Sequence, residues 1–536
     1  MTTQKNSSVN KLFLGIALFF ILTGGLAFYY FYTFNEAAPF YHRTIVFFLC
    51  AVLSFFFVSF FPIKDVKKNG FLDRLFFVAF FLLLMVLINR ANILCLPFYW
   101  DEQWTIWNAS VIFKNHLWPF SSAVPFDTGH PFFYFEYLAF LWKIFGQKII
   151  VSHLGSLAFA WMALFYTYLI GRDFFKDARI GFISAVLFFY SPTVFTHFGT
   201  VVLDVPLAAL FLASTHALFR KKYLFFAIFS TFAVLTKSYG VVLIGVLLFL
   251  NFMISRFHDN DKLKLKGLDC FFLCSPFVVY AAWFICHYAS TGVLFYSEIF
   301  DRYNGLQTSG SLYVSRASRI FQHFFLYGNK FLAIIIFYHL ALDISRRKPI
   351  GLLRVFSTVL LLLAIVFFAL VKNFCPRWLI PIYPFFYILG ALSLVRFIDE
   401  NKLFLPKLVF YLTMLFSLGR YDAGSWALDS VVYNREYIDA VTISQDAARY
   451  IESNFKDKHI LTTWPFMAVL RYPVLGYVKE PLNVVSKQEK FDIFVYDKQA
   501  LDGAGRLEGM VSLKSNFVLI KRFERNTMVI EIYRVL

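Results

Sequence analysis

The sequence predicts a polytopic α-helical membrane protein of about 13 spans that ends in a small C-terminal α/β domain, and three observations predict it. Of the 536 residues, 59% are hydrophobic and only 16% charged, against about a quarter charged in a soluble chain. Apolar runs of the roughly 17–25 residues that a bilayer core requires recur up to residue 418. The composition then turns abruptly polar and charged. This argues against an ordinary cytosolic enzyme and excludes a disordered chain. The net charge of +18 belongs to basic loops between spans, and no nucleic-acid partner is expected.

The expected spans follow in order. Lys11–Phe34 is too long an apolar stretch for a signal-peptide core and reads as a retained helix. With Thr44–Phe61 it forms a pair of extra N-terminal helices within residues 1–72. Residues 73–418 then form the main membrane domain, beginning with Asp73–Pro97, Ile149–Ile170, Arg179–Thr196 and Thr200–Phe219. Tyr223–Thr236 and Ser238–Ile254, on either side of Lys237, are short enough to be half-spans. Leu268–Ser290, Lys330–Ile344, Leu352–Val371, Trp378–Phe397 and Phe404–Leu418 complete the set. With the N-terminus in the cytoplasm, every short inner loop is basic, as in Lys64, Lys67, Lys68 and Arg74 or Arg346, Arg347, Lys348 and Arg354. The short outer loops carry only Arg43, Lys237, Lys372 and Arg377. Because Lys and Arg accumulate on the cytoplasmic side, count and orientation support each other.

Three segments are then outside: loops 98–148 and 291–329, and the tail 419–536. In the tail, Tyr437, Val441, Ser444, Ala448, Ile451 and Phe455 recur at steps of four and three, the mark of an amphipathic helix. Ile460–Thr463, Phe491–Tyr496, Phe517–Arg522 and Met528–Tyr533 read as strands, the last two joined by a hairpin turn at Glu524–Thr527. The six cysteines lie in or beside apolar runs and read as buried small hydrophobes; Cys270 and Cys274 have no further ligand at zinc spacing. No metal-ligand set is expected.

Ionisable residues beside a bilayer are costly, so those at the outer face carry the functional reading. Asp101 and Glu102 open the first outer loop. Neighbours on a helix point about 100° apart, so both cannot face one site, and Asp101 is the expected acting group. Its bland alternative is a helix cap. His130 follows Gly129 and precedes Pro131, a turn able to hold an imidazole against a phosphate. Asp204 starts a span in Leu203-Asp204-Val205-Pro206-Leu207, where an N-cap is the simpler account. Lys237 lies in a Lys-Ser-Tyr-Gly break between the two short runs, and Arg377 opens a proline-punctuated span. Either basic residue can be an interfacial anchor, or can offer a cation to an anionic substrate. Together the carboxylates and the three possible cations suit attack on a phosphate-linked carbon: a base takes the acceptor proton and the cations stabilise the leaving phosphate.

These pieces, in this order and topology, resemble the GT-C superfamily of membrane glycosyltransferases. The resemblance is nearest to the protein-mannosyltransferase-like family 39 and the bacterial aminoarabinose transferases. It covers roughly residues 75–397, and rests on Asp101-Glu102, His130-Pro131, Asp204-x-Pro206-Leu207, the break from Leu235 to Gly240, and the span from Arg377 to Pro384. It implies transfer of a sugar from a polyprenyl-phosphate donor to an outer lipid, glycan or protein acceptor, with inversion, in the plasma (bacterial inner) membrane. Asp101, with Glu102 beside it, would supply the general base or the carboxylate that positions the acceptor, and Asp204 the second carboxylate. His130, Lys237 and Arg377 would contact the donor phosphate. A divalent metal between Asp101 and Asp204 is an open possibility, since some GT-C enzymes use one. Two departures stand out: Pro131-Phe132 replaces a Pro-Pro pair, and Gly129-His130 stands where aminoarabinose transferases carry Glu-Lys. They argue against the lipid A aminoarabinose reaction. The competing reading is a secondary transporter of an anionic or lipid-linked substrate, which would ordinarily show inverted repeats and a midplane site.

Overall fold

The computed structural model describes residues 93–114, 129–258, 267–292, 310–325, 329–346, 375–400, 435–485, 489–498, 517–526 and 528–536, with isolated positions between 357 and 365. The spans Lys11–Phe34, Thr44–Phe61 and Phe404–Leu418, and most of Asp73–Pro97 and Leu352–Val371, lie outside the described residues, as do Cys50 and Asp127.

The first outer segment is helical: α1 (Asp101–Lys114) packs against α2 (Phe133–Phe145). The membrane helices follow as α3 (Ile149–Phe175), α4 (Ala178–Tyr190), the short α5 (Pro192–His197), α6 (Asp204–Phe219), α7 (Tyr223–Val234), α8 (Gly240–His258) and α9 (Gly267–Thr291). Then come α10 (Gly310–Phe325), α11 (Lys330–Ser345), a 3-10 turn at Pro376–Leu379, and α12 (Tyr383–Glu400). The stretch 291–329, expected as a loop, therefore contains a helix. By length and composition, α3 and α9 are able to cross a bilayer, and α10 with α11, bent by 88°, can count as a third span. Helices α4, α6 and α7 fall at expected spans but have only 13, 16 and 12 residues, short of the ~20 that a full crossing takes.

Helix α6 is apolar on every side, and such a helix belongs in the middle of a bundle. It is buried almost from end to end, packed on α3, α7 and α8, so the residue at its start lies deep in the protein. The outermost helices do the reverse. Leu268, Phe271, Val278 and Ile285 on α9 are exposed, as are Ile334 and Phe337 on α11. Continuous exposed apolar faces of this kind mark the lipid-facing surface of an integral membrane protein. Cys270 and Cys274 lie on the same exposed helix, and Cys95 is exposed too. The expectation of buried cysteines fails for these three; for Cys270 and Cys274 the reason is that apolar residues of a lipid-facing helix are shielded by lipid rather than by protein.

The tail folds as α13 (Arg435–Asn454) and α14 (Phe466–Arg471) with a five-stranded sheet. The strands are β1 (Ile460–Leu461), β2 (Val484–Val485), β3 (Ile493–Asp497), β4 (Phe517–Arg525) and β5 (Met528–Val535), in the order β2-β1-β3-β5-β4. β1 runs parallel to β2 and β3; β5 is antiparallel to β3 and β4. All six periodic positions of the expected amphipathic helix, Tyr437 to Phe455, are buried, and α13 packs on β4 and β5. The β4–β5 turn has Asn526 in the left-handed region at φ 53, which Asn tolerates better than most residues. Phe98 N–H donates to Leu475 O at 3.1 Å, so this unit is joined directly to the segment that precedes α1.

Candidate active site

Five helical elements begin around one spot, and the residues singled out in the sequence sit at those beginnings. Asp101 is the first residue of α1 and Asp204 the first of α6. His130 lies three residues before α2 and Lys237 three before α8, while Arg377 is in the 3-10 turn ahead of α12. Helix starts carry unpaired N–H groups and the positive end of the dipole, so their convergence favours negative charge here. Two glycines allow it. Gly129 at φ 65 makes the turn that delivers His130. At Gly240 a Cβ would come within 2.6 Å of Ala233 O, so only glycine lets α8 start against the end of α7.

The side chains form a ladder. Lys237 Nζ donates to Asp204 Oδ1 at 2.7 Å, and Tyr239 OH donates to the same oxygen at 3.1 Å. Arg377 Nε lies 3.2 Å from Asp204 Oδ2, close enough to pair but not aligned as a hydrogen bond. The guanidinium then donates through Nη2 to Asp101 Oδ2. Lys237 and Asp204 form the buried end of the ladder, at 6% and 2% side-chain exposure, and exposure then rises through Arg377 at 15% to Asp101 at 39%. Asp204 does not cap its own helix; its carboxylate is spent on the cations. Among the described residues no hydrogen bond reaches Asp101 Oδ1, so the more exposed of the two carboxylates keeps an accepting oxygen open.

His130 joins through Ser238. The Ser238 hydroxyl donates to Gly129 O at 2.7 Å, so at its 2.9 Å contact with the imidazole it must accept, and His130 Nδ1 carries the hydrogen. Burial, then the neighbouring Lys237 cation, pushes this imidazole down to about 3. His130 is therefore neutral at physiological pH, and the expected third cation is a hydrogen-bonding group instead.

Glu102 faces elsewhere. Fully buried, it accepts from Val201 N–H at 2.6 Å through Oε1, and from Tyr99 N–H at 3.4 Å and the Tyr437 hydroxyl through Oε2. Burial raises its carboxyl above the usual range, against the pull of nearby His153 and these donors. It ties α1 to the start of α6 and to α13, and lies outside the ladder.

Three contributors were not singled out in the sequence. Tyr239 reaches Asp204 and also Trp378 O at 3.3 Å. Its ring and that of Trp378 lie 5.1 and 5.5 Å from Lys237 Nζ, giving the ammonium two aromatic faces. His197 is buried within electrostatic reach of Arg377, Asp204 and Asp101. Tyr239 sat in the quoted break, and a break that positions a cation was the signal to examine its neighbours.

A divalent ion bridging Asp101 and Asp204 does not fit this arrangement, because Arg377 stands between the two carboxylates and pairs with both. Among the described residues no group of three His, Cys, Asp or Glu is placed to hold a metal.

No protein-family model matches the chain, and no curated protein matches it. Solved structures do. ArnT from Cupriavidus metallidurans bound to undecaprenyl phosphate superposes with a TM-score of 0.57, covering 87% of this chain and 98% of ArnT at 13% identity. The apo structure of the same protein gives 0.57, with 85% and 97% covered, again at 13% identity. The fold is that of ArnT. At this identity the likeness is one of fold.

Proposed function

We propose that this chain is an integral membrane glycosyltransferase that moves a sugar from a polyprenyl-phosphate donor to an acceptor outside the cytoplasm, with inversion. One observation carries the reading: two aspartates and two cations, far apart in the sequence, form a single graded ladder with its open carboxylate at the exposed end. That the ArnT structure of the same fold holds undecaprenyl phosphate supports the donor class.

Each group has a distinct task. Asp101 Oδ1 accepts the hydrogen of the acceptor hydroxyl. As that O–H bond breaks, the oxygen bonds the anomeric carbon and the bond from that carbon to the phosphate oxygen breaks, its electron pair leaving with the polyprenyl phosphate. A single displacement inverts the centre. Arg377 and Lys237 meet the charge growing on the leaving oxygen, helped by the helix starts. Asp204 holds both cations in place, and His130 offers a neutral hydrogen bond beside Lys237. Glu102 positions α1 rather than meeting substrate. The resident lipid brings its own leaving group, so no nucleotide site is needed. The reading places the N-terminus in the cytoplasm and the C-terminal unit outside, in the plasma or bacterial inner membrane.

The test is purified protein with a panel of polyprenyl-phosphate sugars, scoring free polyprenyl phosphate for wild type and Asp101→Ala. Release by the wild type and its loss in the variant is the expected result. Equal release by both overturns the assignment of Asp101, and no release with any donor overturns the enzyme.

A further inference from the structure

The ladder leaves unused an aromatic face that begins right beside it. Trp104 and Trp107, three apart, share one side of α1, and Trp100, just ahead of the helix with a left-handed backbone at φ 51, meets the same Trp464 ring as Trp104. The C-terminal unit lies against them. The Trp464 ring is 4.6 Å from Trp100, edge-on, and 5.8 Å from Trp104, stacked; Tyr472 is 3.8 Å from Trp107. All these rings are half-buried, so part of each remains accessible. At 100° per residue, Asn108 and Asp101 border the stripe on one side and Gln103 on the other. Gln103 Nε2 reaches Pro465 O at 3.4 Å, which turns its amide into the gap between α1 and the Trp464 segment.

Unmet polar groups are the second, independent observation. Asn108 is 1% exposed, yet among the described residues neither its Oδ1 nor its Nδ2 has a hydrogen-bond partner. Gln103 Oε1 and Trp464 Nε1 are likewise buried and unpartnered. Buried polar groups are almost always satisfied, so two amides and an indole N–H left unmet around one stripe require an explanation. A membrane-interface belt accounts for the rings but not for the amides. A hydrocarbon tail would leave the amides as they are. A pyranose meets both features: its C–H face packs on an indole, and its hydroxyls donate to and accept from amides and an indole N–H.

We infer that this face is an acceptor subsite for carbohydrate, a sugar ring packing on the accessible part of the cluster that Trp100, Trp104 and Trp464 form, with one hydroxyl at Asp101. The inference rests on the glycosyl-transfer reading and narrows its acceptor class from lipid, glycan or protein to glycan. The stripe starts at Trp100, next to the open oxygen of Asp101.

Full-length protein in detergent is titrated by calorimetry with the methyl glycosides of mannose, galactose, N-acetylglucosamine and arabinose, with tryptophan emission as a second readout. Saturable binding of at least one glycoside is expected. It should weaken at least tenfold in Trp464→Leu and Asn108→Leu, less in Trp464→Phe, with melting temperatures confirming that each variant is folded. Binding of undiminished strength in both leucine variants overturns the subsite. So does the absence of glycoside binding, including the case in which undecaprenyl phosphate alone shifts the emission and the face belongs to lipid. The two readings fail separately. Donor turnover without glycoside binding sinks the subsite alone, whereas Trp464-dependent glycoside binding with no donor ever consumed sustains a carbohydrate face and sinks the transferase.

Discussion

Asp101 and Glu102 are adjacent on one helix and live in opposite worlds. Asp101 is partly exposed, spends one oxygen on Arg377 and keeps the other open. Glu102 is buried and its two oxygens accept three hydrogen bonds from three separate parts of the chain. The 100° between neighbouring side chains sends one carboxylate to the ladder and the other to the joint between α1, α6 and α13. A carboxylate with an unspent acceptor can take a proton from a substrate, and one whose acceptors are all engaged can only hold structure. Hydrogen-bond occupancy, more than residue type, separates chemistry from framework here.

Four substitutions can break or sharpen that contrast. The largest effect is expected on rate: Asp101→Ala should lower turnover by about 10²–10⁴-fold, the usual worth of a general base. Its melting temperature should barely move, because a partly exposed ion pair contributes roughly 0–1 kcal/mol. Asp204→Ala should act on both axes. Removing it leaves Lys237 buried without its carboxylate, and breaking such a pair costs about 3–5 kcal/mol, readable as a lower denaturation midpoint together with lost turnover. Glu102→Gln should be mainly a stability change of roughly 1–3 kcal/mol, the cost of mismatching a buried hydrogen-bond set. Rate per folded molecule should fall far less than in Asp101→Ala; a larger fall would move Glu102 back among the reacting groups.

The smallest effect concerns pH. His130 is held neutral with its titration near 3 instead of 6.5, so between those values the unfolded chain binds more protons than the folded one. Stability is then flat above about 6.5 and declines as pH falls through that window. Melting curves from pH 7 to 4 should show the decline, and His130→Asn should remove part of its slope. An unchanged slope would show that the imidazole is not held neutral by its surroundings.

Much of this was legible in the sequence because it is local. The α13 face from Tyr437 to Phe455 and the β4–β5 hairpin follow from spacing and turn chemistry, and the ladder residues announced themselves as charges at the ends of apolar runs. What stayed hidden depends on distant partners. Glu102 owes its role to Tyr437, 335 positions away. The neutrality of His130 comes from packing around it, and β2, with two residues, is too short to show any period. The tryptophans at the start of α1 show their common partner only in the fold, where Trp464 stacks on Trp104 and meets Trp100 edge-on. Span lengths misled for a related reason: a central helix such as α6 is apolar all round, so hydropathy marks how deeply it is packed as much as how far it reaches.

The contacts from Tyr437 to Glu102 and from Tyr99 OH to Asp497 Oδ2 at 3.2 Å have a bearing on biosynthesis. Both brace the turn that aims Asp101, and both come from residues 335 and 398 positions further along the chain than their partners. A nascent chain in which that downstream unit has not yet folded thus holds its charged residues without the brace that sets their aim.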